Sequence, residues 1–397
     1  MIRKLLVLVA LVELALPASG ARRVTVAELE QTVTTIHGVP DANAARYLSE
    51  LELTERLSTS RLSSLEASLP GEKARQALMM LADASAFLGP PASEIPAMPA
   101  PDLAAQRQIL GVTVDSIAET VQKLPNFFAT RITTNFEDTP PALRPDAFPY
   151  GAVTSPTAFQ PLHTVDTSSV TVLYRDGHEV VDAGTVKIGK AQPAAQRLTT
   201  AGVFGPVLIT VLVDAAESKK LAWSHWEQST NGPEAVFSYA VPREKSHYTV
   251  SWESAPTDRT MACTGRAQSF SEVVAYHGEI TIDPVRGTIL RLLLAADMKP
   301  DEFTLRSGIT VEYGPVEIGG KSYFVPVKSV SSTLAHSLMG VSFLGCAQLR
   351  AMPSLKTSLN DEVFEQYHMF RADTRVLAGN EEDQPENHPP ASTPQLH

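Results

Sequence analysis

Cysteine is scarce in this chain: Cys263 and Cys346 are the only two among 397 residues. Neither sits in a CxxC pair or beside a ligand-type neighbour, which argues against a redox motif and a zinc site. Basic residues are also short, 33 Lys and Arg against 44 Asp and Glu, for a formal net charge of −11. Such a chain lacks the basic surface that phosphate backbones require, so nucleic acid is excluded as a partner. Adhesion to anionic lipid is disfavoured for the same reason. Beyond the first twenty residues no apolar run is long enough to span a bilayer. The nearest, Val207 to Val213, suits one buried strand or helix turn. There is no GxGxxG, P-loop, HExxH, GxSxG or EF-hand loop, and no histidine pair at helical ligand spacing. No cofactor or metal is expected, and the chain reads as non-enzymatic.

The N-terminus carries the clearest positive signal. Met1-Ile2-Arg3-Lys4 is a short basic start, Leu5 to Leu16 is apolar apart from Glu13, and Ala18-Ser19-Gly20-Ala21 offers small residues. This is the pattern of a secretory signal peptide over residues 1–20. No Cys follows it, so no lipoprotein attachment site is present. A periplasmic or secreted location is expected, with no transmembrane segment after cleavage. Export places Cys263 and Cys346 in an oxidising compartment, where a structural disulfide is expected. Two separate buried thiols are the alternative.

Residues 21–101 read as a helical hairpin and a linker. Asp41 is placed to cap a helix carrying Leu48, Leu51, Leu53, Leu57, Leu62, Leu65 and Leu69. Pro70-Gly71 ends it, and a second helix starts near Glu72. Gly89 to Pro101 holds five prolines and reads as an extended linker. Asp102 then caps a helix whose Leu110, Val114, Ile117, Val121 and Leu124 form one stripe to be packed.

From Phe127 the apolar period becomes two, and residues 102–378 read as one helix followed by a sheet domain. Strands are expected at Phe127–Phe136, around Val170, Val172 and Tyr174, around Phe237, Tyr239 and Val241, and around Tyr248, Val250 and Trp252. Val274, Tyr276, Ile280 and Ile282 share a face. An Asp283–Gly287 turn, a Gly319-Gly320 turn and short connections predict an antiparallel meander over about 270–334. Val363 to Val376 reads as the last strand. Residues 139–163 form a long irregular loop, and the acidic tail 379–397 reads as disordered. The fold class is α+β: a helical N-terminal region, then a large curved antiparallel sheet forming an incomplete β-barrel.

Chemistry-bearing candidates are few. His225 lies between Trp223 and Trp226, and His368 follows Tyr367; a hydrolase acting through either is the weakest of three readings. Trp223, Trp226, Phe237, Tyr239, Tyr248, Trp252 and Tyr276 alternate on strands and are the candidate ligand-binding residues.

Two stretches carry a family resemblance. Leu124-Pro125-Asn126-Phe127-Phe128-Ala129-Thr130 ends the amphipathic helix. Gly278-Glu279-Ile280-Thr281-Ile282-Asp283-Pro284, with Gly287 and Arg291, makes a hairpin of the form G-x-I-x-I-D-P-x-x-G-x-I-x-R. This resembles the periplasmic lipoprotein-carrier superfamily. Val311-Glu312-Tyr313-Gly314 and Tyr323-Phe324-Val325-Pro326-Val327 are similar to stretches in secreted bacterial proteins of unassigned role. The resemblance implies a curved sheet wrapping helices over an apolar concave face. The helical region at 24–88 and the 139–163 loop depart from the small carrier pattern. Two functional readings follow: an apolar envelope ligand (a lipid, acyl chain or lipoprotein) bound in the concave face, or an envelope protein as partner, with the sheet plugged by the chain's own helices.

Overall fold

The computed structural model describes residues 21–140, 159–175, 178–181, 203, 206–254, 268–299, 303–343 and 346–370. Residues 1–20, which the sequence reads as a signal peptide, the 379–397 tail, Cys263 and most of the expected 139–163 loop lie outside the described residues.

The N-terminal arm builds its own core. Strand β1 (Arg22–Val24) leads into helix α1 (Val26–Ile36), where Thr25 and Glu28 form a reciprocal capping box. Helix α2 (Asp41–Ser49) is followed by strand β2 (Leu51–Leu53), which pairs in parallel with β1. Helices α3 (Thr59–Glu66) and α4 (Glu72–Ala84) complete the arm. Val26, Leu29, Leu48, Leu53, Ala74 and Leu78 are buried in one cluster. The sequence predicts one helix from Asp41 to Leu69, but the chain breaks at Leu51. Leu51 and Leu53 are both buried with Glu52 exposed between them, a period of two that only a strand satisfies.

A connector containing a short 3₁₀ turn at Ala92–Glu94 leads to helix α5 (Leu103–Lys123). Asp102 caps α5 as expected, accepting a hydrogen bond from Ala105 N at 2.8 Å. The packed stripe differs from the expectation: Ile109 and Thr113 are buried, whereas Val114 is 65% exposed. Leu110, Ile117 and Leu124 do face the core.

The sheet domain begins with β3 (Phe127–Thr139), β4 (Gln160–Arg175) and β5 (His178–Val181). Helix α6 (Pro206–Ser218) follows, then β6 (Ala222–Ser229) and β7 (Gly232–Val241). Strands β8 (Thr249–Ser254) and β9 (Gln268–Val273) pair with each other and, among the described residues, with no other strand. The remaining strands are β10 (Tyr276–Ile282), β11 (Ile289–Ala296), β12 (Thr304–Ile318), β13 (Lys321–Phe343) and β14 (Cys346–Met369). The large sheet has the order β5-β4-β3-β14-β13-β12-β11-β10-β7-β6, and every neighbouring pair is antiparallel. Among the described residues it is open, with β5 and β6 at its edges. The α+β reading holds, and β10 to β13 form the expected meander.

Turn chemistry explains the meander. Gly319 and Gly320 both have positive φ (61° and 82°), the requirement of the tight β12–β13 hairpin. Asp283 Oδ1 accepts from Val285 N and Arg286 N, closing the β10–β11 turn. The last strand starts well before the expected Val363. Its register with β13 runs from Val363 opposite Lys328 to Cys346 opposite Phe343. Beyond Ala335 and Ser358 these two strands have no third partner among the described residues.

Candidate functional site

Two rows of cross-strand partners define the two faces of the sheet. One row reads Val236, Thr281, Arg291, Glu312, Lys328, Val363 and Ile132 across β7, β10, β11, β12, β13, β14 and β3. It carries charges on its central strands. The adjacent row, on the opposite face, reads Phe237, Ile280, Leu292, Val311, Ser329, Glu362 and Thr133. That face is apolar from β7 to β12 and polar from β13 to β3.

The apolar half holds most of the candidate aromatics. Trp223 meets Trp226 with ring centroids 4.8 Å apart, and meets Phe237 edge-on at 5.5 Å. Tyr276 lies 5.9 Å from Tyr239 and 5.6 Å from Tyr248. These six rings belong to one core with Ile109, Leu110 and Ile117 of α5 and Val207, Leu208, Val211, Leu212 and Ala215 of α6. They meet edge-on or tilted in two groups of three, Trp223–Trp226–Phe237 and Tyr239–Tyr276–Tyr248, and side chains of both helices pack into the same core. Trp252 is elsewhere, stacked on Phe270 in the β8–β9 ribbon.

Gly278 is what lets Tyr239 into this core. A Cβ at Gly278 would lie 1.8 Å from Leu293 O and 2.7 Å from the Tyr239 hydroxyl. The bare backbone leaves room for that hydroxyl, which donates to Leu293 O at 2.7 Å.

One carboxylate is buried at the edge of the aromatic cluster. Asp214 of α6 is fully buried. Its Oδ2 accepts from the Tyr276 hydroxyl at 2.7 Å and from His247 N at 2.9 Å, and its Oδ1 lies 2.6 Å from His247 Nδ1. The hydrogen bond to Asp214 raises the His247 pKa above its usual value. Burial first, and then Asp214, push the Tyr276 phenol far up. The His247 side chain is 68% exposed. The group therefore anchors α6 to the sheet and presents one imidazole to solvent.

The polar half holds Glu362, whose Oε2 accepts from Ser329 Oγ at 2.9 Å. Burial lifts its pKa to about 7 against the pull of Arg131. Arg131 pairs with Glu179 at 3.3 Å.

The charged face docks the N-terminal arm. Lys328 Nζ lies 2.6 Å from Asp83 Oδ1 of α4 and 3.2 Å from Asp361 Oδ1 of β14. Arg56 pairs with Glu227, both buried. Arg291 donates to Ala86 O at 2.6 Å, and burial together with Arg56 lowers its pKa to about 10. Thr59 Oγ1 donates to Glu312 Oε2 at 2.9 Å. A small apolar patch of Met80, Phe136, Val330 and Leu359 adds to this contact.

His225 and His368, the two histidines considered for hydrolysis, are not brought together. His225 Nδ1 lies 2.9 Å from Ser224 Oγ, while its Nε2 is 3.9 Å from Glu227 and makes no hydrogen bond. His368 is exposed on β14. Among the described residues no cluster of His, Cys, Asp or Glu is arranged to hold a metal ion, and no helix is long and apolar enough to cross a membrane.

Sequence reasoning missed Asp214, His247, Asp83, Lys328, Asp361 and Glu362. A signal existed for several of them. Asp214 directly follows the apolar Val207–Val213 run inside one helix, and Lys328 falls within the largely apolar Phe324–Val330 stretch. A charge inside a strongly apolar element is buried unless it lies on the outer face, and a buried charge needs partners. Comparison with protein-family models, with curated proteins and with solved structures found no match to this chain.

Proposed function

We propose that this chain is an exported, non-catalytic envelope protein that binds another protein, with the apolar face of its sheet filled by its own helices. The observation that carries this reading is the occupancy of that face. Helices α5 and α6 bury their apolar sides against it, and six of the seven candidate aromatics pack on one another there. An acyl chain would have to displace α6 and break the Asp214 anchor. The net charge of −11 favours a basic or neutral protein surface over a membrane surface. Export rests on the N-terminal pattern, and the lipoprotein-carrier resemblance points to the envelope as the working compartment.

Crosslinking in intact cells, followed by native mass spectrometry of the purified chain, tests the reading. One stoichiometric protein partner and no retained lipid are expected. Recovery of bound lipid, or saturable binding of a fluorescent fatty acid that α6 variants alter, would replace it with the apolar-ligand reading. N-terminal sequencing of the mature protein tests export: a chain that still begins at Met1 sinks that part.

A further inference from the structure

We propose that the N-terminal arm is a proton-gated cover on the charged face of the sheet, held down under acidic conditions and loosened as the pH rises, with Asp83, Lys328 and Asp361 as the gate. The arm has its own core and reaches α5 through the Pro-rich connector. Its main contact with β13 and β14 places two nearly buried carboxylates on one ammonium.

Charge counting explains the gate. With one carboxyl protonated, the Asp83–Lys328–Asp361 group is neutral. With both ionised it carries one uncompensated negative charge at two buried carboxylates, and Asp83 Oδ2 has no hydrogen-bond partner to absorb it. The neighbours do not relieve this. Glu312 of β12 adds a further negative charge beside the group, and Thr59 of α3 donates to it. On β11 and on the arm, Arg291 and Arg56 are taken up by Ala86 O and by Glu227 of β6. The titration follows this arrangement. Burial first, then the Asp361 charge, lifts Asp83 to about 7 against the pull of Lys328. Asp361 is raised as well, again by burial first. Burial alone would lower Lys328, but the two carboxylates hold it above its usual value.

The sign is fixed by these directions. A carboxyl whose pKa is higher in the docked state favours docking most at low pH. The docking constant therefore falls by roughly tenfold per pH unit once pH passes the undocked value, levelling near the docked one. The window runs from about 4 to about 7. Glu362, on the other face of the sheet, titrates in the same range and would act on the whole fold. The experiment must separate the two.

Hydrogen exchange on the full chain does so, with rates corrected for intrinsic pH dependence and run in a Glu362→Gln background. Amides of α4 should lose protection by at least tenfold between pH 5 and pH 8, while amides of β10 and β11 keep theirs. Asp361→Asn leaves a neutral pair and should abolish the loss. Asp83→Asn serves the same purpose if Asp361→Asn does not fold. Equal protection of α4 at both pH values overturns the proposal. So does an unchanged loss in either Asn variant.

Discussion

Asp41 sits over Gly71. It opens α2, yet its carboxylate caps the other helix of the pair, accepting from Lys73 N at 3.1 Å and from Ala74 N at 2.8 Å at the start of α4. The two helices are thus fastened by a cap that crosses from one to the other. A Cβ at Gly71 would fall between 2.5 and 2.9 Å from the Asp41 carboxyl atoms, so only glycine lets the carboxylate approach.

Gly71→Ala should therefore act as loss of that cap. Both Gly71→Ala and Asp41→Ala are expected to cost about 1–2 kcal/mol in urea unfolding. The double variant should cost little more than either alone, because the two remove the same interaction. Full additivity would show that the contact does not exist in solution.

Tyr276→Phe deletes one donor from a buried carboxylate and leaves the ring in place. A hydrogen bond to a charged group is worth about 1.5–3 kcal/mol, and that loss is expected in the unfolding free energy. Tyr239→Phe removes only a neutral bond to Leu293 O and should cost about 1 kcal/mol. Equal losses in the two variants would argue against the stronger bond at Tyr276.

The fold should be more stable in mild acid. Glu362 rises from its ordinary value of 4.5 to about 7 when folded, through burial. A raised carboxyl leaves the folded state favoured below the unfolded value, and stability then falls as pH climbs to about 7. The full effect is on the order of 3 kcal/mol at pH 8. His247 acts in the same direction: its raised pKa stabilises below its unfolded value and is lost as pH rises through the folded one. Urea midpoints at pH 5, 6, 7 and 8 should decline, and Glu362→Gln should flatten much of the slope. A midpoint that rises with pH would contradict both assignments.

Cys346 lies opposite Phe343 at the end of the β13–β14 ribbon, and Cys263 lies outside the described residues. If the chain is exported as proposed, the two are expected to be bonded to each other, since the sequence holds no third cysteine. Closing a loop of roughly 80 residues is worth about 4–5 kcal/mol in the entropic account, less any strain. Alkylation of the denatured, unreduced protein, read by intact mass, should add nothing. Two added labels would refute the pairing.

Much of the fold was legible because its local chemistry agreed with its tertiary setting. Asp102, the Asp283–Gly287 turn and Gly319-Gly320 each carry a requirement that only one structure meets. The failures occur where a local pattern fits two structures. Leu48, Leu51 and Leu53 suit a helical stripe, but Leu51 and Leu53 suit an alternating strand equally well, and pairing with β1 decides. Asp41 has the chemistry of a cap, but it caps α4 and not the helix it opens, since a cap's target is set by packing. Val114 matches the heptad of α5, but the β10–β11 turn sits against Val112 and Thr113 and rotates the buried side toward Ile109. The gate was the least legible part. Asp83, Lys328 and Asp361 are far apart in sequence, and only the sheet register brings them together.

Trp226 donates its indole N–H to Pro99 O at 2.9 Å, which ties the connector beside the edge strand β6. An exposed sheet edge ordinarily recruits strands from other molecules. Here the neighbouring segment is rich in proline, which has no N–H to offer a ladder. A second molecule that approached β6 beside Trp226 would meet this segment first. Beside Trp226, therefore, the open margin of the sheet is flanked by a segment that cannot continue the ladder, which disfavours addition of a further strand at that point.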